Sequence, residues 1–175
     1  MIKHTSYLQK GMLFWGIFFL ISTLFGQEVD PKYQKMLHRF YDEDFKTISP
    51  EKAQKLLYHE NVYFLDIREK KEFQVSHIPG AMYVGYDHLD WDAINRIPRD
   101  ARIIVYCSIG ARSQKIGKRL LEKNFKHVEN LYGGLFLWAN QERPMINKNG
   151  LPTSYIHGYS PTWGKWIKKG QVVYP

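Results

Sequence analysis

The chain has 175 residues, 44% hydrophobic and 24% charged, enough apolar content to bury one core and too short for two, which excludes a disordered chain and a two-domain protein. Its net charge of +8 is spread along the sequence with no basic cluster, which argues against nucleic acid as a partner and leaves small anions in play. One cysteine, Cys107, excludes an internal disulfide.

In chain order, Lys3 and Lys10 precede an apolar run from Met12 through Phe25 that ends at Gly26. The run is shorter than the roughly 20 residues of a spanning helix and reads as a signal peptide over 1–26. The alternative is an uncleaved anchor at residues 12–26, the one arrangement that would bring a membrane into contact with this protein. Either reading places the chain outside the cytoplasm, exported to a periplasmic or extracytoplasmic space. Cleavage takes the net charge from +8 to +6, since Lys3 and Lys10 are the only charged residues removed.

Asp30-Pro31 is an N-cap and first-turn pair for a helix to about Tyr41, in an N-terminal extension of residues 27–46 that braces or covers the domain. Ser49-Pro50-Glu51 opens a second helix to about Tyr58. A strand follows at Val62–Leu65, a short helix at Arg68–Val75, a strand at Ala81–Val84 and a helical turn at Asp90–Arg96. Arg102–Tyr106 is the expected central strand, Ser113–Lys123 an amphipathic helix and Val128–Leu131 a further strand. Short apolar strands alternating with helices predict an α/β fold over residues 47–146, with a mainly parallel central sheet, right-handed crossovers and helices on both faces. Ligands then bind at the carboxyl ends of the strands, where Cys107 lies. Residues 147–175 mix Gly, Pro and aromatics, among them Tyr155, Tyr159, Trp163, Trp166 and Tyr174. They form either a partner- or glycan-binding strip or an extension packed on the domain, and so many large rings favour packing.

Cys107-Ser108-Ile109-Gly110-Ala111-Arg112 runs from the central strand into a helix that Ser113 opens. A loop wrapped over a helix N-terminus directs backbone N–H groups and the positive end of the dipole to its centre. Gly110 permits the tight turn and Arg112 adds a planar cation, so the setting favours an anionic sulfur and nucleophilic chemistry. A lone cysteine is otherwise a small buried hydrophobe; the strand before it and the glycine, arginine and helix after it favour catalysis.

The loop Cys107 to Ser113 resembles the active-site loop of single-domain rhodanese-like sulfurtransferases. Phe64-Leu65-Asp66-Ile67-Arg68 with His77-Ile78-Pro79-Gly80-Ala81 resembles the family's first signature, Ser76 standing where glycine is usual, and Tyr132-Gly133-Gly134 with Trp138 resembles the second. The resemblance covers about Thr47 to Arg143. It implies a rhodanese-like fold and a two-step reaction in which Cys107 takes the outer sulfur of a donor such as thiosulfate, holds it as a persulfide and passes it to cyanide or a thiol, a protein thiol included. It further implies that Ser108, Ile109, Gly110, Ala111, Arg112 and Ser113 cradle the small anionic donor, with hydroxyls from Ser108 and Ser113, and that no cofactor is needed. Ile109 as an apolar wall and Arg112 as the loop's only cation leave a persulfide or polysulfide donor beside thiosulfate.

Two alternatives remain at this point. Phosphatases of the same superfold place five residues between Cys and Arg, where this chain has four, a tighter ring better suited to sulfur. A noncatalytic module would bind a partner and merely retain the cysteine.

Asp66, Arg68 and His77 read as structural. An Arg with a Glu four residues on, Arg68 and Glu72, is a helix-start ion pair, and His77 before Ile78-Pro79-Gly80 fixes a turn. Gly133, Gly134 and Trp138 read as loop and packing residues. His59, His88, His127 and His157 lack metal-ligand spacing, so no metal is expected.

Overall fold

The computed structural model describes residues 29–174; the segment 1–26, read as a signal peptide or anchor, lies outside the described residues. In order the elements are α1 (Pro31–Leu37), β1 (Thr47–Ile48), α2 (Pro50–Gln54), β2 (Val62–Asp66), α3 (Lys70–Val75), β3 (Met82–Tyr83) and α4 (Trp91–Asn95). Then come β4 (Arg102–Tyr106), α5 (Ala111–Glu122), β5 (His127–Leu131), α6 (Gly134–Asn140), β6 (Tyr155–His157), α7 (Pro161–Gly164) and β7 (Gln171–Val173).

Five strands form one sheet in the order β1-β5-β4-β2-β3, each neighbouring pair parallel. The fold is α/β with a parallel sheet, as expected, and Arg102–Tyr106 is its middle strand. Its alternation explains why both faces must be covered. Ile104 and Tyr106 join one buried cluster with Phe64, Leu131, Leu135 and Trp138. Ile103, Val105 and Cys107 join another with Leu65, Ile116, Leu120 and Phe125.

Several boundaries differ from the sequence reading, each for a local reason. α1 keeps its Asp30 cap, whose Oδ1 accepts from Lys32 N–H at 2.8 Å, but ends at Leu37 and not Tyr41. The Leu37 carbonyl takes the N–H groups of Phe40 at 2.9 Å and Tyr41 at 3.0 Å, and the chain turns there. α2 ends at Gln54 and not Tyr58: Leu56 N–H and Leu57 N–H reach back only three residues, to the Ala53 and Gln54 carbonyls at 2.9 and 3.2 Å, and Tyr58 then takes a left-handed backbone with φ of 63°, which a right-handed helix cannot hold. α5 starts two residues before Ser113, since Gly110 in the left-handed region (φ 95°) serves as its N-cap. Gly133, Gly134 and Trp138, expected as loop and packing residues, are the N-cap and two members of the helix α6. Leu135, Phe136, Leu137, Trp138 and Ala139 are all buried, so the helix is apolar on every side and shows no amphipathic stripe.

The tail contains its own two-stranded parallel sheet of β6 and β7, with α7 between them. Ile156 and Ile167 enter the core, and Trp163 and Trp166 pack against it. Both extensions also meet one another: Tyr33 and Trp166 ring centroids are 5.4 Å apart, and Phe40 and Trp163 meet edge to face at 5.6 Å.

Candidate active site

β4 delivers Cys107 into the turn at the carboxyl end of the sheet, where the residue is 1% exposed. Four successive carbonyls of this turn point outward and are all taken. Leu135 N–H donates to the Cys107 carbonyl at 2.9 Å and Phe136 N–H to that of Ser108 at 3.0 Å. The Tyr41 hydroxyl donates to the Ile109 carbonyl at 2.7 Å, and Asn130 Nδ2 to that of Gly110 at 2.9 Å. In trans peptides the N–H groups lie opposite their carbonyls, and the Gly110 N–H donates to Cys107 Sγ at 3.1 Å. The twelve-residue α5 begins at the next residue, so its positive dipole end adds to that donor. Gly110 is doubly required: a side chain would be strained at its φ, and a Cβ there would run into the Tyr41 hydroxyl.

That hydroxyl also accepts from Gly133 N–H at 2.8 Å, and the Tyr33 hydroxyl donates to the Gly133 carbonyl at 2.8 Å. The N-terminal extension thus ties the cysteine turn to the start of α6. Burial pushes the Tyr41 pKa well above its usual value, and the neighbouring Cys107 pushes the same way, so the phenol stays protonated and can donate. Tyr41→Phe leaves the Ile109 carbonyl and Gly133 N–H unpaired, which is expected to destabilise the fold by roughly 1–3 kcal/mol. Urea denaturation against the native chain measures this, and equal midpoints would refute the tie.

The side chains on the turn divide into two groups. Ser113 is fully buried, and its hydroxyl donates to Asn130 Oδ1 at 2.7 Å. The expectation that Ser113 offers a hydroxyl to a donor is therefore corrected: in the first turn of α5 its side chain faces β5, and with Asn130 it supports the loop from beneath. Ser108 Oγ donates to Glu72 Oε1 at 2.9 Å and accepts from Arg112 Nη2 at 3.2 Å. Arg112 Nη2 also lies 3.2 Å from each Glu72 carboxylate oxygen.

Glu72 is the second correction. It is not the partner of Arg68, because Asp66 takes that guanidinium. Arg68 Nε reaches Asp66 Oδ1 at 2.9 Å and Nη2 reaches Oδ2 at 2.6 Å, with both side chains fully buried. Nη2 also donates to the Ser76 carbonyl at 2.6 Å. Glu72, on the first turn of α3, accepts Glu69 N–H at 3.0 Å and is thereby free to face the cysteine loop. Burial opposes its charge, yet Arg112, Arg68, the Glu69 N–H and Ser108 outweigh that and hold its pKa below the usual 4.5. Burial likewise opposes the charge on Arg112, but the neighbouring Cys107 and Glu72 raise its pKa.

A depressed carboxylate pKa means the unfolded chain binds the proton more readily, so this stabilisation is complete above the unfolded value and lost as pH falls through the folded one. Glu72→Gln keeps an acceptor but removes the charge, and is expected to lower stability by roughly 2–4 kcal/mol near neutral pH. The gap to the native chain should narrow below about pH 4. A gap independent of pH, measured by urea denaturation, would sink this assignment.

Asp66, Arg68 and His77 do not line the cavity above the sulfur. Asp66 and Tyr106 are register partners on adjacent strands, so the Asp66–Arg68 pair stands one strand away from Cys107. His77 Nδ1 donates to the Phe73 carbonyl at 2.9 Å while the two rings stack at 3.7 Å. Burial holds its pKa below the usual 6.5.

The cavity itself measures about 160 Å³. Its floor is Cys107, Ser108, Ile109, Ala111 and Arg112. Its rim is Phe40 from the N-terminal extension and Tyr159 and Trp163 from the tail. Of the residues that shape this site, Glu72, Tyr41, Asn130 and the rim aromatics were not assigned to it from sequence. The aromatic richness of the tail was a signal of something to be covered, but it carried no address.

Residues 49–141 match the family model of the rhodanese-like domain. Sequence relatives include a sulfurtransferase of Allochromatium vinosum, 33% identical over 98 residues that span 56% of this chain and 91% of that protein. Another is the thiosulfate sulfurtransferase GlpE of Ectopseudomonas mendocina, 37% identical over 95 residues, 54% of this chain and 85% of that protein. The solution structure of a rhodanese-like domain from Anabaena sp. aligns with a TM-score of 0.53 and 23% identity over 58% of this chain and 78% of that one, a likeness of fold. Phe40, Tyr41, Tyr159 and Trp163 all lie outside the matched residues.

Proposed function

We infer the reaction from one premise: the chain belongs to the rhodanese-like domain family, and its sequence relatives place it with the sulfurtransferases. The Cys107 thiolate attacks the outer sulfur of a donor such as thiosulfate. A bond forms from Sγ to that sulfur, and the donor's S–S bond breaks with its electron pair leaving on sulfite. An acceptor, cyanide or a thiol, then attacks the outer sulfur of the Cys107 persulfide, and the pair of the breaking bond returns to Sγ.

The observation that carries this reading is the Gly110 N–H at 3.1 Å from a sulfur that forms the floor of a cavity. A hydrogen bond to a charged group contributes roughly 1.5–3 kcal/mol, and here it favours the thiolate before transfer and the persulfide anion after it. Arg112 and the dipole of α5 act in the same direction. No step calls for a cofactor. Export by way of segment 1–26 is part of the proposal, and it is compatible with a sole cysteine that no internal disulfide can consume.

The test is an intact-mass measurement after incubation with thiosulfate and removal of excess reagent. The expected result is a gain of one sulfur atom that cyanide then removes. A gain that cyanide leaves in place, or no gain from thiosulfate or from any organic sulfane-sulfur donor, would overturn the persulfide route.

A further inference from the structure

The cavity over Cys107 has an unusual balance of charge and apolar surface for a site that receives a dianion such as thiosulfate. Arg112 is the one cation lining it among the described residues. Its Nη2 is 3.2 Å from both oxygens of Glu72, whose side chain is fully buried. Glu72 offsets part of the Arg112 charge, so a dianion that sheds its water there meets less positive charge than a lone guanidinium would supply.

The aromatic part of the apolar side comes from outside the family-matched residues 49–141. Phe40 and Trp163 meet edge to face at 5.6 Å, and the Arg112 guanidinium lies 5.0 Å from the Tyr159 ring. Tyr159 holds a left-handed backbone, φ 63°, a conformation that disfavours tyrosine and persists only where its surroundings impose it. Ile109 and Ala111 continue the apolar wall below this rim.

We propose that this rim selects organic sulfane-sulfur donors, in which the transferable sulfur is attached to an apolar group, over thiosulfate. The inference rests on the persulfide reading above and names its donor class. With an organic thiosulfonate, R–SO2–S⁻, the Cys107 thiolate bonds to the terminal sulfur. The S–S bond to the sulfonyl group breaks, and its electron pair leaves on the sulfinate, R–SO2⁻. With an organic persulfide, R–S–SH, the same attack releases the thiolate R–S⁻ and leaves the proton on the transferred sulfur. In both, the apolar group R occupies the space between Phe40, Tyr159 and Trp163 while the reacting sulfur meets Cys107.

The test uses the full chain and three probes: benzenethiosulfonate, methanethiosulfonate and thiosulfate. The first two carry the same charge and reacting head and differ in the apolar group, so their ratio of kcat/KM isolates the rim. The expected order is benzenethiosulfonate, then methanethiosulfonate, then thiosulfate. Phe40→Ala and Trp163→Ala should each lower the benzene-to-methane ratio, by roughly 2- to 10-fold, the worth of one aromatic contact. Phe40 is 44% exposed, so its truncation leaves the core intact even where that of Trp163 does not. A ratio near one in the native chain, a ratio unmoved by Phe40→Ala, or thiosulfate as the best of the three would overturn the proposal while the persulfide route stands. Failure of all three to leave cyanide-labile sulfur on Cys107 would overturn the persulfide route itself.

Discussion

Cys107→Ser is expected to fold normally and to lose sulfur loading altogether. The residue is 1% exposed and its Sγ accepts one hydrogen bond, from Gly110 N–H at 3.1 Å. Serine supplies a smaller oxygen that accepts the same bond, so the change in stability should stay within about 1–2 kcal/mol. The chemistry has no such tolerance. An alcohol is almost wholly protonated near neutral pH, and no described residue is placed to act as its base: His77 is committed to the Phe73 carbonyl and Glu72 to Ser108 and Arg112. A fall in transfer of at least roughly 10³-fold follows from loss of the nucleophile. Intact mass after incubation with a sulfur donor should show no added sulfur, with a thermal midpoint near that of the native chain. Cyanide-labile sulfur on the serine variant would place the carrier elsewhere, and a collapsed midpoint would show that Cys107 serves the core.

What could be read in advance was the part of the molecule whose physics is local. Arg102–Tyr106 is apolar at every position after the first and flanked by helix patterns, so a covered middle strand follows from alternation alone. Asp30 and Ser49 were legible as caps because each precedes a proline, and both accept a backbone N–H where expected. The nucleophile turn was legible for the same reason: strand, cysteine, glycine and arginine are contiguous. What stayed hidden depends on contacts between distant segments. Tyr41 lies 68 residues from Ile109, and no spacing rule connects a tyrosine in one extension to a carbonyl in the loop. Glu72 was misassigned because a helix-spaced arginine offered a partner close at hand. The nearer Asp66 won that arginine by a bidentate geometry that only the fold displays. α6 was hidden because a pair of glycines reads as a turn, and only its place against the cysteine loop shows why both are there.

That place gives Gly134 a role that is steric as much as conformational. Its φ is 57°, and a Cβ built there would lie 2.5 Å from the Cys107 carbonyl oxygen, 2.7 Å from Ile109 N and 2.7 Å from the Ser108 carbonyl carbon. All three are backbone atoms of the cysteine turn, so no side-chain rotation relieves the contact. Alanine at this position must therefore push α6 and the turn apart. Separation breaks the bonds from Leu135 N–H to the Cys107 carbonyl and from Phe136 N–H to the Ser108 carbonyl, at 2.9 and 3.0 Å. Left-handed strain in alanine costs about 1–2 kcal/mol, and each lost hydrogen bond adds roughly 0.5–1.5 kcal/mol. Gly134→Ala should thus destabilise by roughly 2–5 kcal/mol, and it should slow sulfur loading because the Gly110 N–H no longer sits at the same distance from the sulfur. Gly150 provides the control. Its φ is 74°, but nothing lies within 4 Å of a Cβ placed there, so Gly150→Ala carries the strain without the collision and should cost about 1–2 kcal/mol with loading unchanged. Urea denaturation and loading rates of both variants separate the two effects. If Gly134→Ala proves no worse than Gly150→Ala, the packing of α6 on the turn does not hold the nucleophile in place.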